Sequence, residues 1–76
     1  MTTLKRALNQ MPADIRDELE SRGLHEAYDA RPPYQRNDYL GWIGRAKKPE
    51  TRRKRIDVML SELSHGTEYM GMKWNG

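Results

Sequence analysis

Proline and glycine divide this chain into segments that suit short helices and little else. Pro12, the Pro32–Pro33 pair and Pro49 stand where helices begin or end, and Gly23 and Gly66 stand where they stop. Proline is accepted in the first turn of a helix, where N–H groups lack an intrahelical partner, and the residue before it avoids the α region. Glycine enters the left-handed conformation that commonly closes a helix. This punctuation predicts a helix from Pro12 to about Arg22, a second over LHEAYDA, a third from Tyr34 to Ala46 and a fourth from Pro49 to about Ser64. Ahead of them Thr3 is placed to cap a further turn or two bearing Leu4, Ala7 and Leu8.

Apolar spacing supports the same division. Ile15 and Leu19 lie four residues apart, Leu24, Ala27 and Tyr28 share a face, and Tyr39, Trp42, Ile43 and Ala46 recur at the helical period. Ile56, Met59, Leu60 and Leu63 repeat it in the fourth segment. Asp14, Asp17 and Glu18 occupy the start of the first helix, where the dipole favours anions. The expected fold class is all-α, a small bundle of three to four short helices with an irregular C-terminal tail. Residues 1–11 form an N-terminal segment, 12–66 the helical domain and 67–76 the tail. The expected core is Ile15, Leu19, Leu24, Tyr39, Trp42, Ile43, Ile56, Met59, Leu60 and Leu63.

A chain of 76 residues is one domain, and at such a length only roughly 60% of the unfolded surface is buried. With no cysteine there is no disulfide, thiolate zinc site or cysteine nucleophile. No window approaches the roughly 20 apolar residues of a membrane span, and the start of the chain lacks the apolar run of a signal peptide. The expectation is a monomeric, cytoplasmic protein.

Charge is distributed unevenly. Residues 1–33 carry five Lys/Arg against six Asp/Glu, and residues 34–76 carry nine against five, so the halves are −1 and +4. Between Arg45 and Arg55 seven basic residues face only Glu50. Such a cluster creates a local field well above what the net charge of +3 implies. The candidate anion-binding or partner-binding residues are therefore Arg45, Lys47, Lys48, Arg52, Arg53 and Arg55, because guanidinium forks bind carboxylate and phosphate bidentately. A structural account competes with this one. Glu50 and Thr51 suit the first turn of a helix, and Arg52 can lay its stem on Trp42 or Tyr39 while pairing with Asp38.

Catalysis finds no support. His25 and His65 have no metal-ligand spacing, Asp57 and Glu62 do not share a helical face, and the six glycines form no phosphate-cradling loop. No cofactor or metal is expected, and the protein is read as a non-enzyme. Gly41 and Gly44 each cost about 1 kcal/mol inside a helix relative to alanine, and either marks a close approach or is tolerated on an open face. In the tail, Met70, Met72 and Trp74 alternate onto one side of an extended strand, which either folds back over the small core or hangs free, or is a docking edge for a partner.

The run PPYQRNDYLGWIGRAKKPETRRKRIDVMLSELSHG resembles the helical C-terminal domain of the bacteriocin-protection, YdeI or OmpD-associated (OmdA) family. The elements that carry the resemblance are Tyr39, Trp42–Ile43, Ala46–Lys47, Pro49, Glu50–Thr51–Arg52 and Arg55–Ile56. The preceding LESRGLHEAYDARPP resembles the helix and loop before them, extending the likeness from about Pro12 to Gly66. The resemblance implies a small bacterial helical domain, associated by name with porin partners and with resistance to bacteriocins or antimicrobial peptides, and it implies no catalytic residue. The combined expectation is a binding module for a protein partner, acting through the basic helix. Nucleic acid is the alternative partner for the same cluster. A helix-turn-helix reading is weakened by an expected turn at Lys48 and Pro49 shorter than three residues. Anionic lipid ranks below both, since the apolar residues of the basic helix are needed for the core.

Overall fold

The computed structural model describes residues 9–73. Four helices, α1 (Ala13–Ser21), α2 (His25–Asp29), α3 (Pro33–Gly44) and α4 (Pro49–His65), are followed by a two-stranded hairpin of β1 (Glu68–Tyr69) and β2 (Met72–Lys73). The all-α expectation holds. The segment containing Thr3, Leu4, Ala7 and Leu8 lies outside the described residues, as does Trp74.

Each helix boundary follows from its local chemistry. Pro12 is extended (ψ 152°) and sits one position outside α1, its carbonyl accepting the Arg16 N–H at 3.1 Å. At the other end the Leu24 N–H reaches the Leu19 carbonyl (2.8 Å) and the Gly23 N–H reaches that of Glu20 (3.2 Å), a Schellman closure. The closure needs a left-handed residue, and Gly23 supplies it at φ 67° without the clash a Cβ would bring. Leu24, next in sequence, folds back to pack against the core. Pro33 and Pro49 open α3 and α4, and Gly66 ends α4.

The core joins Ile15 and Leu19 of α1, Tyr28 of α2, Tyr39, Leu40 and Ile43 of α3, and Ile56, Met59, Leu60 and Leu63 of α4. Two expected members are displaced. Leu24 and Trp42 are only partly buried and pack against the cluster from outside. For Trp42 the reason is its position: α3 turns Tyr39 and Ile43 inward, four residues apart, and its neighbour Trp42 falls at the margin.

The tail is a hairpin in which Glu68 pairs with Lys73 and Tyr69 with Met72. Met70 (φ 54°) and Gly71 (φ 81°) both take left-handed backbone, as a two-residue type I′ turn requires. The expected single strand with Met70 and Met72 on one side is therefore incorrect. Met70 occupies the turn and packs on the core, while Met72 is 59% exposed.

A buried polar network fixes this hairpin to the helices. The Glu62 carboxylate accepts the Tyr39 hydroxyl, the Met70 N–H (2.7 Å) and the Gly71 N–H (2.6 Å). Arg31, equally buried, donates to the Gln35 side-chain oxygen (3.1 Å) and to the Glu62 carbonyl (3.0 Å). Tyr69 adds edge-on ring contacts with Tyr34 and Tyr39 and donates its hydroxyl to Asp38.

Candidate functional site

The cationic residues divide into three groups that the sequence could not separate. Arg52 and Arg53 face α1. Arg52 makes two hydrogen bonds to the Asp14 carboxylate, at 2.6 and 3.2 Å, and Arg53 reaches Glu18 at 2.7 Å while also donating to Asp57. Glu18 further accepts from Arg22 at 2.9 Å. These contacts form a charged seam between α1 and α4. The hydrogen bond from Arg52 holds the Asp14 carboxyl below its ordinary value, and those from Arg53 and Arg22 do the same for Glu18. The two guanidiniums are correspondingly raised, Arg52 by Asp14 and Arg53 by Asp57 and Glu18.

Arg55 has a different task. Its Nη1 donates to the Trp42 carbonyl at 2.7 Å, and its guanidinium lies 5.2 Å from the centroid of the Trp42 ring. That carbonyl belongs to the last turn of α3, where acceptors lack helical partners and the dipole is negative, so a cation is favoured there. The aromatic partner expected for Arg52 is taken by Arg55 instead, and the carboxylate partner of Arg52 is Asp14, not Asp38. Asp38 accepts the Tyr69 hydroxyl at 2.7 Å. Arg52 and Arg55, three residues apart, diverge by about 60° around α4, and from there Arg52 reaches Asp14 of α1 while Arg55 reaches the end of α3.

Of the remaining cations in the cluster, Arg45, Lys47 and Lys48 lie on the connection between α3 and α4. That connection is Arg45–Lys48, four residues, because α3 closes at Gly44 and not at Ala46. The turn is therefore longer than the sequence implied and falls within the helix-turn-helix range. Arg45 caps α3 through its N–H to the Gly41 carbonyl at 3.0 Å, and Lys48 is extended (ψ 145°) before Pro49. Arg45, Lys47 and Lys48 are exposed, as is Lys54 on α4, and among the described residues these four make no ion pair.

Gly41 lets the Asn9 and Arg45 side chains close over α3. A Cβ built there would stand 3.0 Å from the Asn9 amide nitrogen and 3.2 Å from Arg45 Nη1, while nothing lies within 4 Å of one at Gly44. Asn9 is anchored to Asn37 through its N–H (2.7 Å) and its side-chain amide. Of the two readings of these glycines, Gly41 is the close approach and Gly44 the open position.

Of the expected docking tail, Met70 is committed to the turn and Met72 stays exposed. Histidines form no cluster: His25 contacts Asp29 within α2 (3.2 Å), and the His65 ring donates to the Ser61 carbonyl at the end of α4 (2.9 Å). Among the described residues no group of three or more His, Cys, Asp or Glu could hold a metal ion, and no helix is long and apolar enough to cross a membrane. The residues that sequence reasoning missed are Asp14 and Glu18, which neutralise part of the basic cluster, and Glu62, which holds the hairpin. A signal for Glu62 existed, since it lies three residues beyond Met59 and directly before Leu63, on the rim of the apolar stripe.

The chain matches the family described as bacteriocin-protection, YdeI or OmpD-associated over residues 9–66. The match begins at Asn9, the residue tied to Asn37, and ends at Gly66, the cap of α4. No curated protein and no solved structure matches the chain significantly. The WI, AK, P, ETR and RI elements, on α3, the connection and α4, all fall within the matched residues: the chain is a member of the bacteriocin-protection, YdeI or OmpD-associated family.

Proposed function

We propose that the protein is a non-catalytic binding module that contributes to bacterial stress or bacteriocin resistance by engaging a protein partner through its basic surface. The observation that carries this reading is the set of cations at Arg45, Lys47, Lys48 and Lys54 that stay exposed and unpaired among the described residues while Arg52 and Arg53 are taken up by α1. The negative end of α3 favours cations beside it, but the like charges of the cluster repel one another and make no ion pair among the described residues, so the helix end accounts for only part of the cluster. Family membership supplies the resistance context. The working part of the surface is Arg45, Lys47, Lys48 and Arg55. Arg52 and Arg53 position α4 against α1.

The test is complementation. Cells lacking the chain are challenged with a bacteriocin and supplied with the wild type or with Arg45→Glu/Lys47→Glu/Lys48→Glu. The wild type should restore survival and the triple variant should not. Equal protection by both would remove the basic surface from the function, and no protection by the wild type would remove the resistance role.

Nucleic acid is a second reading, favoured by the four-residue turn between α3 and α4. It predicts an affinity for duplex that falls steeply as salt rises.

A further inference from the structure

We infer that the connection between α3 and α4 docks a short acidic segment of a protein partner, with Trp42 and Arg55 as its centre and Arg45, Lys47 and Lys48 as its rim. The inference rests on the binding-module reading above and adds the chemistry of the partner.

Size is the first argument. Arg45, Lys47 and Lys48 sit within one four-residue connection, so their backbone positions span at most about 11 Å. A few carboxylates saturate such a patch. Its surroundings are the second argument. Glu50 is exposed on the first turn of α4, and Asp14 and Glu18 lie against Arg52 and Arg53 further along the same helix. A duplex carries one charge per roughly 1.7 Å of its length and would bring phosphates onto these carboxylates as it extended past the connection. A short segment meets the cations and ends before the acids. Like-charge juxtaposition at the edge of an interface excludes wrong partners in this way.

The third argument is the composition of the centre. Trp42 is partly exposed, and its ring is held by the Arg55 guanidinium, itself fixed to the Trp42 carbonyl at 2.7 Å. A preorganised Trp and Arg pair is the residue chemistry that dominates interface energetics. It offers an apolar edge for one aliphatic or aromatic side chain of the partner beside donors for its carboxylates. The preferred ligand is therefore an acidic peptide with a single apolar anchor.

The test is an NMR titration of the full chain, labelled with nitrogen-15, against a short Glu-rich peptide with one central Leu. The same peptide with Gln in place of Glu, and a DNA duplex, serve as the comparison probes. The Glu peptide should shift Trp42, Arg45, Lys47, Lys48 and Arg55, and the Gln peptide should leave them in place. Lys47→Glu/Lys48→Glu keeps the dispersed spectrum of the folded protein, because both side chains are exposed, and weakens the Glu peptide about tenfold or more. Tighter binding of the duplex than of the Glu peptide overturns the inference in favour of nucleic acid. Equal response to the Glu and Gln peptides, or none to either, also overturns it. The broader reading falls separately, in the complementation test, if the charge-reversed chain still protects cells or the wild type does not.

Discussion

Glu62 is the side chain on which most of the tail depends. It is 4% exposed, yet its two oxygens accept three hydrogen bonds, from the Tyr39 hydroxyl and from the consecutive amides of Met70 and Gly71. Successive amides of a left-handed turn converge on an anion, which is why a carboxylate serves here and an aliphatic side chain would not. Burial, reinforced by the Glu62 hydrogen bond, pushes the Tyr39 hydroxyl well above its ordinary range, so it remains a donor at any physiological pH. Replacing Glu62 with alanine leaves those donors without an acceptor, each costing about 1–3 kcal/mol if it stays buried. Glu62→Ala should therefore lower unfolding stability by about 3 kcal/mol or more in urea titrations monitored by circular dichroism, with Glu62→Gln falling between it and the wild type. A loss below about 0.5 kcal/mol, the level of an ordinary surface substitution, would show that the network contributes nothing. Arg52 and Arg55 carry a related lesson. The sequence placed both in one basic cluster, but Arg52 and Asp14 are separated by 38 positions. Only the packing of α1 on α4 decides which cation is consumed.

At the scale of elements, the seam between α1 and α4 couples the fold to pH. The carboxyls of Asp14 and Glu18 are both held below their ordinary values by guanidinium hydrogen bonds. A depressed folded pKa means that the unfolded chain binds more protons across the interval between the two values. The stabilisation is thus fully present above the unfolded values, at about pH 4, and is lost as pH falls through the lower folded ones. The thermal midpoint of the wild type should hold steady near neutrality and decline below about pH 4. Asp14→Asn/Glu18→Gln should start lower and decline less across the same interval, as differential scanning calorimetry would record. A parallel acid decline in both proteins would place the titrating groups elsewhere. The four helices themselves were legible in the sequence, because proline, glycine and the period of Ile56, Met59, Leu60 and Leu63 are local signals. The hairpin was not. Its turn is Met70–Gly71, without the Asn or Asp that announces a type I′ turn, and the left-handed Met70 is held by Glu62 and by contact with the core. Strand alternation at Met70, Met72 and Trp74 pointed to a single edge for the same reason: nothing within the segment reports a distant carboxylate.

For the molecule as a whole, the question is whether the hairpin is an appendage or part of the cooperative unit. The family match ends at Gly66, and a two-stranded hairpin is marginal by itself in water. Its contacts argue for integration. Tyr69 packs edge-on against the fully buried Tyr39 at 5.5 Å between ring centroids, Met70 covers the core, and the turn amides complete the bonding of Glu62. A domain of this length has little stability to spare, typically about 0.05–0.15 kcal/mol per residue. Removing residues 67–76 exposes one face of Tyr39 and strips Glu62 of two donors, although water can then solvate the carboxylate and offset part of the loss. The net cost should be about 2 kcal/mol, from the lost aromatic contact and the two hydrogen bonds. For a domain of this size that corresponds to a fall of about 8–16 °C in the thermal midpoint. Amide exchange in the intact chain provides the complementary reading: Met70 and Gly71 should exchange at the rate of the core residues Ile56 and Met59 if the hairpin opens only on global unfolding. Fast exchange at those two amides, together with an unchanged midpoint after truncation, would make the hairpin a free arm and confine the cooperative unit to the helices.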